Sequence, residues 1–313
     1  MAKTQKRKSI KKNNLVSMSD ISQDDLFQII NLTKKIKAKP LLKSGFLKNK
    51  SIALIFAKPS LRTRVSFEVG IRELGGQAIT IKMDEISVGI RENVEDIANV
   101  LSRYVSAIVI RTYEQNQIED LGKFSSVPVI NGLSNEEHPC QVIADLFTLS
   151  EVFGKLSGLK LTYVGDGNNV AQSLLLACAL ANVNISIACP KKYEPKLIFL
   201  EKAKEINPRI KIELTNDPRL AAKGANALYT DVWTSMGQEK EQEKRKKIFA
   251  SYQINDGLLS CANKNAIVLH CLPAHKGQEI TGKVFERFSS IIYQQAENRL
   301  HAQKAILLKL LDK

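Results

Sequence analysis

Apolar residues along this chain follow two alternating patterns: short continuous runs, and longer segments in which they recur every three or four positions. Runs of about four to eight apolar residues indicate buried strands, and the longer spacing is typical of amphipathic helices. A capping box that starts at Ser22 predicts the first helix, and this helix is expected to run to about Lys37. Strands are then predicted at residues 51–57, 77–82, 106–111 and 128–131.

The pattern changes at His138, where a long helix to about Phe153 carries apolar residues on one face and is interpreted as a bridge between domains. Further strands are predicted at residues 159–164, 184–188, 210–214, 227–230, 266–270 and 290–293, followed by a helix at about 294–311. Alternating strands and helices predict parallel sheets covered on both faces. The predicted fold is therefore α/β, with two doubly wound parallel-sheet domains at residues 15–150 and 151–313 joined by a long helix.

The formal net charge of +14 raises the question of a nucleic-acid partner. Much of this charge lies in residues 1–14, which are predicted to form a basic, disordered tail, with Met18 as an alternative start. The basic residues that precede the first acidic residue, Asp20, are Lys3, Lys6, Arg7, Lys8, Lys11 and Lys12. No basic stripe with interleaved aromatic residues follows, so no nucleic-acid partner is predicted.

No apolar run approaches the about 20 residues needed to span a bilayer, and the N-terminus lacks the apolar region of a secretory signal. A cytoplasmic protein with no membrane partner is predicted.

The five cysteines are odd in number and include no C-x-x-C pair, which disfavours a disulfide framework. A zinc site would have to combine Cys271 with His270 or His275, a spacing that matches no familiar ligand pattern, so no metal is predicted.

The loop Gly165-Asp166-Gly167-Asn168-Asn169-Val170 lies between a predicted strand and a helix and invites comparison with dinucleotide-binding loops. Val170 stands where a third glycine is required, and the next strand ends at Cys189 without the acidic residue that binds a ribose. A dinucleotide oxidoreductase is therefore disfavoured, and no organic cofactor is predicted. Ligands still bind at the carboxyl ends of strands in open α/β sheets, and Asn169 is placed to offer an amide there.

The segment Lys58-Pro59-Ser60-Leu61-Arg62-Thr63-Arg64 follows the first predicted strand, and the first turns of a helix are expected from Val65 onward. A helix start offers unpaired N–H groups and a positive dipole end, and here guanidinium and hydroxyl groups lie beside it. The segment is therefore interpreted as an anion-binding loop for a phosphate group. A basic helix start on a solvated surface is the competing interpretation of this motif alone.

Three further motifs strengthen the phosphate interpretation. They are His138-Pro139-Cys140-Gln141, Asp231-Val232-Trp233-Thr234-Ser235-Met236-Gly237 and His270-Cys271-Leu272-Pro273. Together with the first motif they resemble the aspartate/ornithine carbamoyltransferase family, and its ornithine-using branch in particular. The resemblance runs from about Leu15 to the C-terminus, with the motifs in the family's order.

The resemblance implies transfer of the carbamoyl group of carbamoyl phosphate to the side-chain amine of L-ornithine, which gives L-citrulline and phosphate by direct attack through a tetrahedral intermediate. It also implies a role in arginine metabolism, a homotrimer with sites near subunit interfaces, and a C-terminal helix that returns to the first domain. Synthesis and breakdown of arginine use the same site, so both directions stay open, as does assembly beyond a trimer.

Site residues are carried over from the family by position. For carbamoyl phosphate they are Ser60, Leu61, Arg62, Thr63, Ser87, Arg111, His138, Gln141, Cys271, Leu272 and Arg299. For ornithine they are Asn169, Asp231, Ser235 and Met236. Arg62, His138, Asp231 and Cys271 are expected to be catalytic, with His138 as a donor to the carbonyl oxygen. Cys271 is expected to help select the neutral amine; covalent catalysis and a purely structural cysteine are the alternatives.

The chain departs from the family pattern in its first half. Leu61 replaces a usual threonine, Ser87 stands where relatives often have glutamine or histidine, and Ile90-Arg91-Glu92 replaces Arg-Gly-Glu. The rival functions are a carbamoyltransferase for another amine, such as putrescine, N-acetylornithine or aspartate, and a non-catalytic binding protein on the same fold. The intact Asp231 and His270 motifs argue against the first rival. The second is disfavoured because the chain retains Ser60, Arg62, Arg111, His138, Asp231 and Cys271 together.

Overall fold

The computed structural model describes residues 14–86, 92–235, 237 and 239–312. The predicted tail, Ser87, the Ile90-Arg91 exchange and Met236 fall at least partly outside these residues. The first sheet has four parallel strands in the order β2-β1-β3-β4. These are β1 (Ser51–Phe56), β2 (Gln77–Lys82), β3 (Ala107–Arg111) and β4 (Val129–Leu133).

The second sheet has five parallel strands in the order β7-β6-β5-β8-β9. These are β5 (Lys160–Val164), β6 (Asn184–Ala188), β7 (Ile212–Thr215), β8 (Ala227–Thr230) and β9 (Ile267–His270). In both sheets the strand order reverses next to the first strand, between β1 and β3 and between β5 and β8. The predicted α/β class with two doubly wound parallel sheets is confirmed.

Twelve α-helices lie between and around the strands of the described chain. In chain order they are α1 (Gln23–Ala38), α2 (Leu61–Glu73), α3 (Met83–Ile86), α4 (Val94–Tyr104), α5 (Gln115–Phe124), α6 (Pro139–Phe153), α7 (Asn169–Ala181), α8 (Leu197–Ile206), α9 (Pro218–Ala222), α10 (Gln242–Phe249), α11 (Asp256–Leu259) and α12 (Gly282–Leu311). Short 3-10 turns occur at Met18–Asp20, Glu239–Glu241 and Ala250–Tyr252. None of the described helices is long and apolar enough to cross a membrane.

Two helix starts illustrate how local sequence sets the fold. The Ser22 side chain accepts a hydrogen bond from the backbone N–H of Asp25, whose carboxylate accepts from the backbone N–H of Ser22, so the predicted capping box is confirmed. Helix α2, by contrast, begins at Leu61 rather than at Val65. Ser60 has extended backbone and caps the helix through a bond from Thr63 N–H, so the basic motif forms the first turn itself.

Helices α6 and α12 join the two halves. Helix α6 has Pro139 in its first turn and ends at Gly154, which takes the left-handed φ of 73° that favours glycine. The expected apolar face is buried, but so is every other residue from Pro139 to Leu149, so the helix is enclosed on all sides rather than on one face. Helix α12 packs on α1, α2, α6 and β9, so the C-terminal helix returns to the first sheet's half as the resemblance implied.

The strand predicted at 290–293 is wrong, because these residues lie inside α12, which starts at Gly282 rather than near residue 294. Within the predicted strand, Ile291-Ile292-Tyr293 is a short run of β-branched and aromatic residues, and so fits the strand pattern. Buried positions nevertheless recur at Phe285, Phe288 and Ile292, which is helical spacing, and Tyr293 is exposed. A short apolar run that covers one helical turn has the same pattern as a short strand, so the sequence alone does not distinguish the two.

Candidate active site

The carboxyl ends of β1, β3, β5, β8 and β9 open on one cleft of about 1070 Å³ between the two sheets. Both strand-order reversals lie at this cleft, which is where open α/β sheets bind ligands. Every predicted site residue that the structure describes lines it: Ser60, Leu61, Arg62, Thr63, Arg111, His138, Gln141, Asn169, Asp231, Ser235, Cys271, Leu272 and Arg299. The chain therefore brings the four motifs together, although their individual roles stay predictions.

Three arginines converge on the start of α2. The Thr63 hydroxyl accepts hydrogen bonds from Arg299 Nη2 at 2.8 Å and from Arg111 Nη1 at 3.4 Å. Arg62 lies in the same turn, and no carboxylate of the described chain forms an ion pair with any of the three. The Nε atoms of Arg111 and Arg299 are buried without a partner in the described structure. These cations lack an internal counter-ion, as expected of a site for a multiply charged anion.

The electrostatics of the cluster agree with this conclusion. Burial, followed by the charges of Arg299 and Arg62, lowers the pKa of Arg111 to about 10. The pKa of Arg299 is lowered too, first by burial. A bound anion would raise the pKa values of both arginines again, because it favours their charged forms. Leu61, in the first turn of α2, is 75% exposed, so we expect only its main chain to contact such an anion.

His138 lies at the N-terminus of α6, where its backbone N–H donates to the Ser173 hydroxyl at 2.8 Å. Burial, reinforced by Arg299, Arg111 and Arg62, holds the pKa of His138 well below its usual range. The imidazole is therefore neutral at pH 7 and can donate only one ring N–H. Its Nδ1 is buried without a partner among the described residues.

Asp231 follows β8 on the opposite side of the cleft, and both of its carboxylate oxygens are engaged. Oδ1 accepts from Cys271 Sγ at 3.0 Å and from the backbone N–H of Val232 at 2.8 Å. Oδ2 accepts from Asn168 Nδ2 at 2.8 Å. The carboxylate is thus fixed in orientation, and a carboxylate has further lone pairs for an ammonium group.

Asn168, which sequence reasoning missed, differs in position from the predicted Asn169 by one residue. Asn168 is the N-cap of α7 and accepts from the backbone N–H groups of Val170 and Ala171. The Nδ2 atom of Asn169 donates instead to the carbonyl oxygen of Ser134 at 2.6 Å. The difference follows from where α7 begins: Asn168 is the cap before the helix and donates to Asp231, whereas Asn169 is the first helical residue and donates elsewhere. The tandem pair after Gly167 was the available signal.

Cys271 is a thiol in this site. Burial, together with the adjacent Asp231 carboxylate, raises its pKa well above the usual range. The sulfur therefore stays protonated, and its S–H donates a hydrogen bond to Asp231. This protonation state opposes a role as a covalent nucleophile. The next residue, Leu272, has a left-handed φ of 62°, which turns the chain at the cleft.

Potential ligand atoms of Asp231, His270 and Cys271 lie within 4.8 Å of one another, which raises the question of a metal. Both ring nitrogens of His270 are already engaged: Nε2 lies 3.1 Å from Glu279 Oε1, and Nδ1 accepts from Leu272 N–H at 2.9 Å. The S–H group of Cys271 donates a hydrogen bond to Asp231. Two of the three groups would have to give up these bonds to bind an ion, so the donor set does not fit a metal well.

Two further residues of the cleft were missed as site residues. Arg245 donates to the Asp166 carboxylate at 2.8 Å and to the carbonyl oxygen of Trp233 at 3.0 Å, and so anchors the start of the 231–237 loop. Lys58 donates to Asn135 Oδ1 at 2.6 Å and lies 4.1 Å from the centre of the Tyr113 ring. Burial, then the nearby charge of Arg111, lowers the pKa of Lys58 to about 8.

The fold and the cleft define an α/β protein that places an arginine-rich anion site opposite a buried carboxylate able to hold an ammonium group. The chain belongs to the aspartate/ornithine carbamoyltransferase family. Residues 13–151 match the family's carbamoyl-P binding domain, and residues 157–310 match its Asp/Orn binding domain.

Individual relatives agree over nearly the full chain. A protein of Archaeoglobus fulgidus named ornithine carbamoyltransferase is 51% identical, and the match covers 96% of this chain and 98% of the relative. The crystal structure of ornithine carbamoyltransferase from Gloeobacter violaceus is 45% identical with a TM-score of 0.85, covering 96% of this chain and 99% of that one. The ornithine carbamoyltransferase of Pyrococcus furiosus is 43% identical with a TM-score of 0.91, covering 94% and 96%.

Proposed function

We propose that the protein transfers the carbamoyl group of carbamoyl phosphate to the δ-amine of L-ornithine, giving L-citrulline and phosphate. One observation carries the proposal: across one cleft, an arginine cluster with no counter-ion among the described residues faces the oriented carboxylate of Asp231. The relatives that match nearly the whole chain are named for this activity.

On the donor side, Ser60, Thr63 and the main chain of Leu61 bind the phosphate together with the guanidinium groups. The guanidinium groups are those of Arg62, Arg111 and Arg299. They offset the charge that grows on the leaving phosphate. His138, as a neutral imidazole, donates to the carbonyl oxygen of the carbamoyl group, with Gln141 and the carbonyl of Leu272 near its amide. Ser87 is assigned from the family resemblance alone.

On the acceptor side, Asp231 binds the α-ammonium group of the amino acid. Asn169, Ser235 and the main chain of Met236 hold the α-carboxylate. The side-chain amine then points from the Asp231 side of the cleft toward the carbamoyl carbon. This division puts carbamoyl phosphate at the junction of residues 15–150 and residues 151–313, with ornithine bound mainly by residues 151–313.

The amine must lose a proton before it attacks. A pKa of about 10.4 for a lysine-like amine makes deprotonation at pH 7 cost about 4–5 kcal/mol. Cys271, as a thiol hydrogen-bonded to Asp231, brings no negative charge to attract the protonated amine and so favours the neutral one. The neutral amine attacks the carbamoyl carbon and a tetrahedral intermediate forms. The carbon–oxygen bond to phosphate then breaks, and the leaving phosphate takes the proton that the attacking nitrogen loses. Domain closure and folding-in of the Ser235–Gly237 loop would exclude water during these steps.

The functional setting is proposed to be arginine metabolism in the cytoplasm, with a homotrimer as the assembly. Exposed apolar side chains near β2, an edge strand, support a further subunit contact on the first sheet's half. They are Leu61, Val65 and Ile79. Light scattering tests the assembly: about three times the mass of one chain supports the homotrimer, and a monomeric mass contradicts it.

Citrulline formation from carbamoyl phosphate and ornithine tests the proposed activity. Putrescine, N-acetylornithine and aspartate are assayed in parallel, with products identified by mass. Product confined to ornithine supports the proposal. Product with another amine would transfer the assignment to that acceptor, and no product with any amine would favour a non-catalytic protein on this fold.

A further inference from the structure

We infer that Asp145 is a positioning residue that fixes which end of the Gln141 side-chain amide faces the carbamoyl group. Asp145 lies on α6, one helical turn after Gln141, and is fully buried. The inference rests on the proposed function, because it concerns how the same site recognises its donor substrate. It adds a residue outside the cleft that acts through Gln141.

The carboxylate of Asp145 accepts hydrogen bonds from three side chains. Gln141 Nε2 donates to Oδ1 at 2.9 Å, and Gln295 Nε2 donates to the same oxygen at 2.7 Å. The Tyr229 hydroxyl donates to Oδ2 at 3.0 Å. No lysine or arginine of the described chain forms an ion pair with Asp145, so these charge-assisted bonds provide its direct compensation for burial.

The direction of the Gln141 amide follows from the chemistry of its partner. An ionised carboxylate has lone pairs and no proton, so it can only accept. Burial raises the pKa of Asp145 to about 6, which still leaves it ionised at pH 7. Gln141 must therefore turn its NH₂ group toward Asp145. Its carbonyl oxygen is left for the cleft, which Gln141 lines.

An acceptor in that position suits one substrate group in particular. A carbamoyl group carries an NH₂ beside its carbonyl, and this NH₂ can donate to Gln141 Oε1. A reversed amide would set two NH₂ groups against each other. The orientation therefore favours carbamoyl phosphate over acetyl phosphate, which has the same shape with a methyl group in place of the NH₂.

The same carboxylate sets the orientation of a second amide. Gln295 donates to Asp145, and its Oε1 accepts from the backbone N–H of His270 at 2.9 Å. His270 directly precedes Cys271, and Tyr229 is two residues before Asp231. Asp145 thus connects α6, β8, β9 and α12, the elements that present site residues from both sides of the cleft.

The test compares dissociation constants for carbamoyl phosphate, acetyl phosphate and inorganic phosphate, measured by calorimetry at pH 7 on the full chain. The variant is Asp145→Asn, whose NH₂ group can donate to Gln141 Oε1 and so permits the reversed amide. We expect its affinity for carbamoyl phosphate to fall about tenfold, the effect of one buried hydrogen bond. Affinity for the other two ligands should change less than about twofold, because neither has an NH₂ group.

The matched control is Tyr229→Phe, which removes the bond to Oδ2 and leaves the Gln141 bond in place. It should keep the preference of the unsubstituted protein for carbamoyl phosphate. A double variant, Gln141→Glu with Asp145→Asn, restores an acceptor in the cleft with no change in net charge. It should regain the preference over acetyl phosphate, even though its carboxylate weakens binding of all three anions. It also provides the test if Asp145→Asn does not fold.

Equal loss of all three ligands in Asp145→Asn would overturn the inference, because a merely structural residue acts in that way. Retention of the original preference would overturn it as well, as would a double variant that fails to discriminate. An unsubstituted protein that binds carbamoyl phosphate without preference over acetyl phosphate contradicts the inference alone. A protein that binds no carbamoyl phosphate contradicts the proposed function and the inference together.

Discussion

The substitution Asn168→Asp tests how the acceptor site orients the Asp231 carboxylate. Asn168 Nδ2 donates to Asp231 Oδ2 at 2.8 Å, while its Oδ1 caps α7 and accepts from the Tyr163 hydroxyl. Aspartate is as good an N-cap as asparagine and keeps both acceptor functions. It replaces the NH₂ donor with an oxygen that faces Asp231. The change therefore removes the orienting bond and adds a like charge, while the helix cap is retained.

The magnitude follows from the kind of bond that is lost. A hydrogen bond to a charged group contributes about 1.5–3 kcal/mol, which corresponds to a factor of about 10 to 150 in an equilibrium or rate constant. We expect kcat/KM for ornithine to fall by about this factor in Asn168→Asp. The KM for carbamoyl phosphate should change little, because the arginine cluster is untouched. The helix cap is preserved, so any fall in melting temperature reports the repulsion between the two carboxylates.

Steady-state kinetics with each substrate varied in turn, together with a thermal melt, provide the assay. The matched control is Asn255→Asp, at the N-cap of α11, where the asparagine side chain accepts from Leu258 N–H and does not line the cleft. This control should leave kinetics and melting temperature unchanged. If Asn168→Asp kept kcat/KM for ornithine within threefold of the unsubstituted protein, the reasoning about Asp231 would be refuted.

Substitutions at three further positions test other parts of the site. Cys271→Ser keeps a donor to Asp231 and should retain more kcat than Cys271→Ala, whose pH profile should also shift. Lys58 is charged mainly below its pKa of about 8, so phosphate affinity should fall as the pH rises through that value. In Lys58→Arg, affinity should stay flat to pH 9. Leu61→Thr should change the KM for carbamoyl phosphate by only the effect of one hydrogen bond, about 0.5–1.5 kcal/mol.

Each of these expectations has a result that contradicts it. Equal and unchanged kcat and pH profiles in both Cys271 variants would make the cysteine structural. A serine variant as inactive as alanine would reopen the covalent route. Phosphate affinity that is independent of pH between 7 and 9 in the unsubstituted protein would remove Lys58 from the anion site. A change of several orders of magnitude in Leu61→Thr would show that main-chain contacts do not dominate there.

The predicted bounds of β2, β6 and β8 agree with the structure. Strands β6 and β8 are buried along nearly their whole length, whereas β2, an edge strand, has only half-buried and exposed positions. The prediction failed at residues 290–293, because four residues are too few to separate one apolar helical turn from a strand. It also started α2 four residues late. The sequence shows the Ser60 cap, but the basic residues directly after it are as typical of an anion-binding loop as of a first helical turn.

The site could be located from its motifs, yet its internal bonds could not. That Arg299 and Arg111 share the Thr63 hydroxyl depends on how α12 packs across α2, a contact between residues far apart in the chain. The choice between Asn168 and Asn169 depends on where α7 begins. For Asp145, only the bond with Gln141, one turn earlier on α6, has a local spacing; the partners Tyr229 and Gln295 come from β8 and α12. Such tertiary details are set by packing rather than by local pattern.

The central claim is that a carbamoyl group held at the arginine cluster joins the side-chain amine of an amino acid held at Asp231. The most direct test uses carbamoyl phosphate labelled with ¹³C at its carbonyl and ornithine labelled with ¹⁵N at its δ-amine, followed by NMR. The account predicts a product in which the two labels are directly coupled, formed at the rate of phosphate release. Phosphate release without a coupled product, or a carbamoyl group on the α-nitrogen, would contradict it.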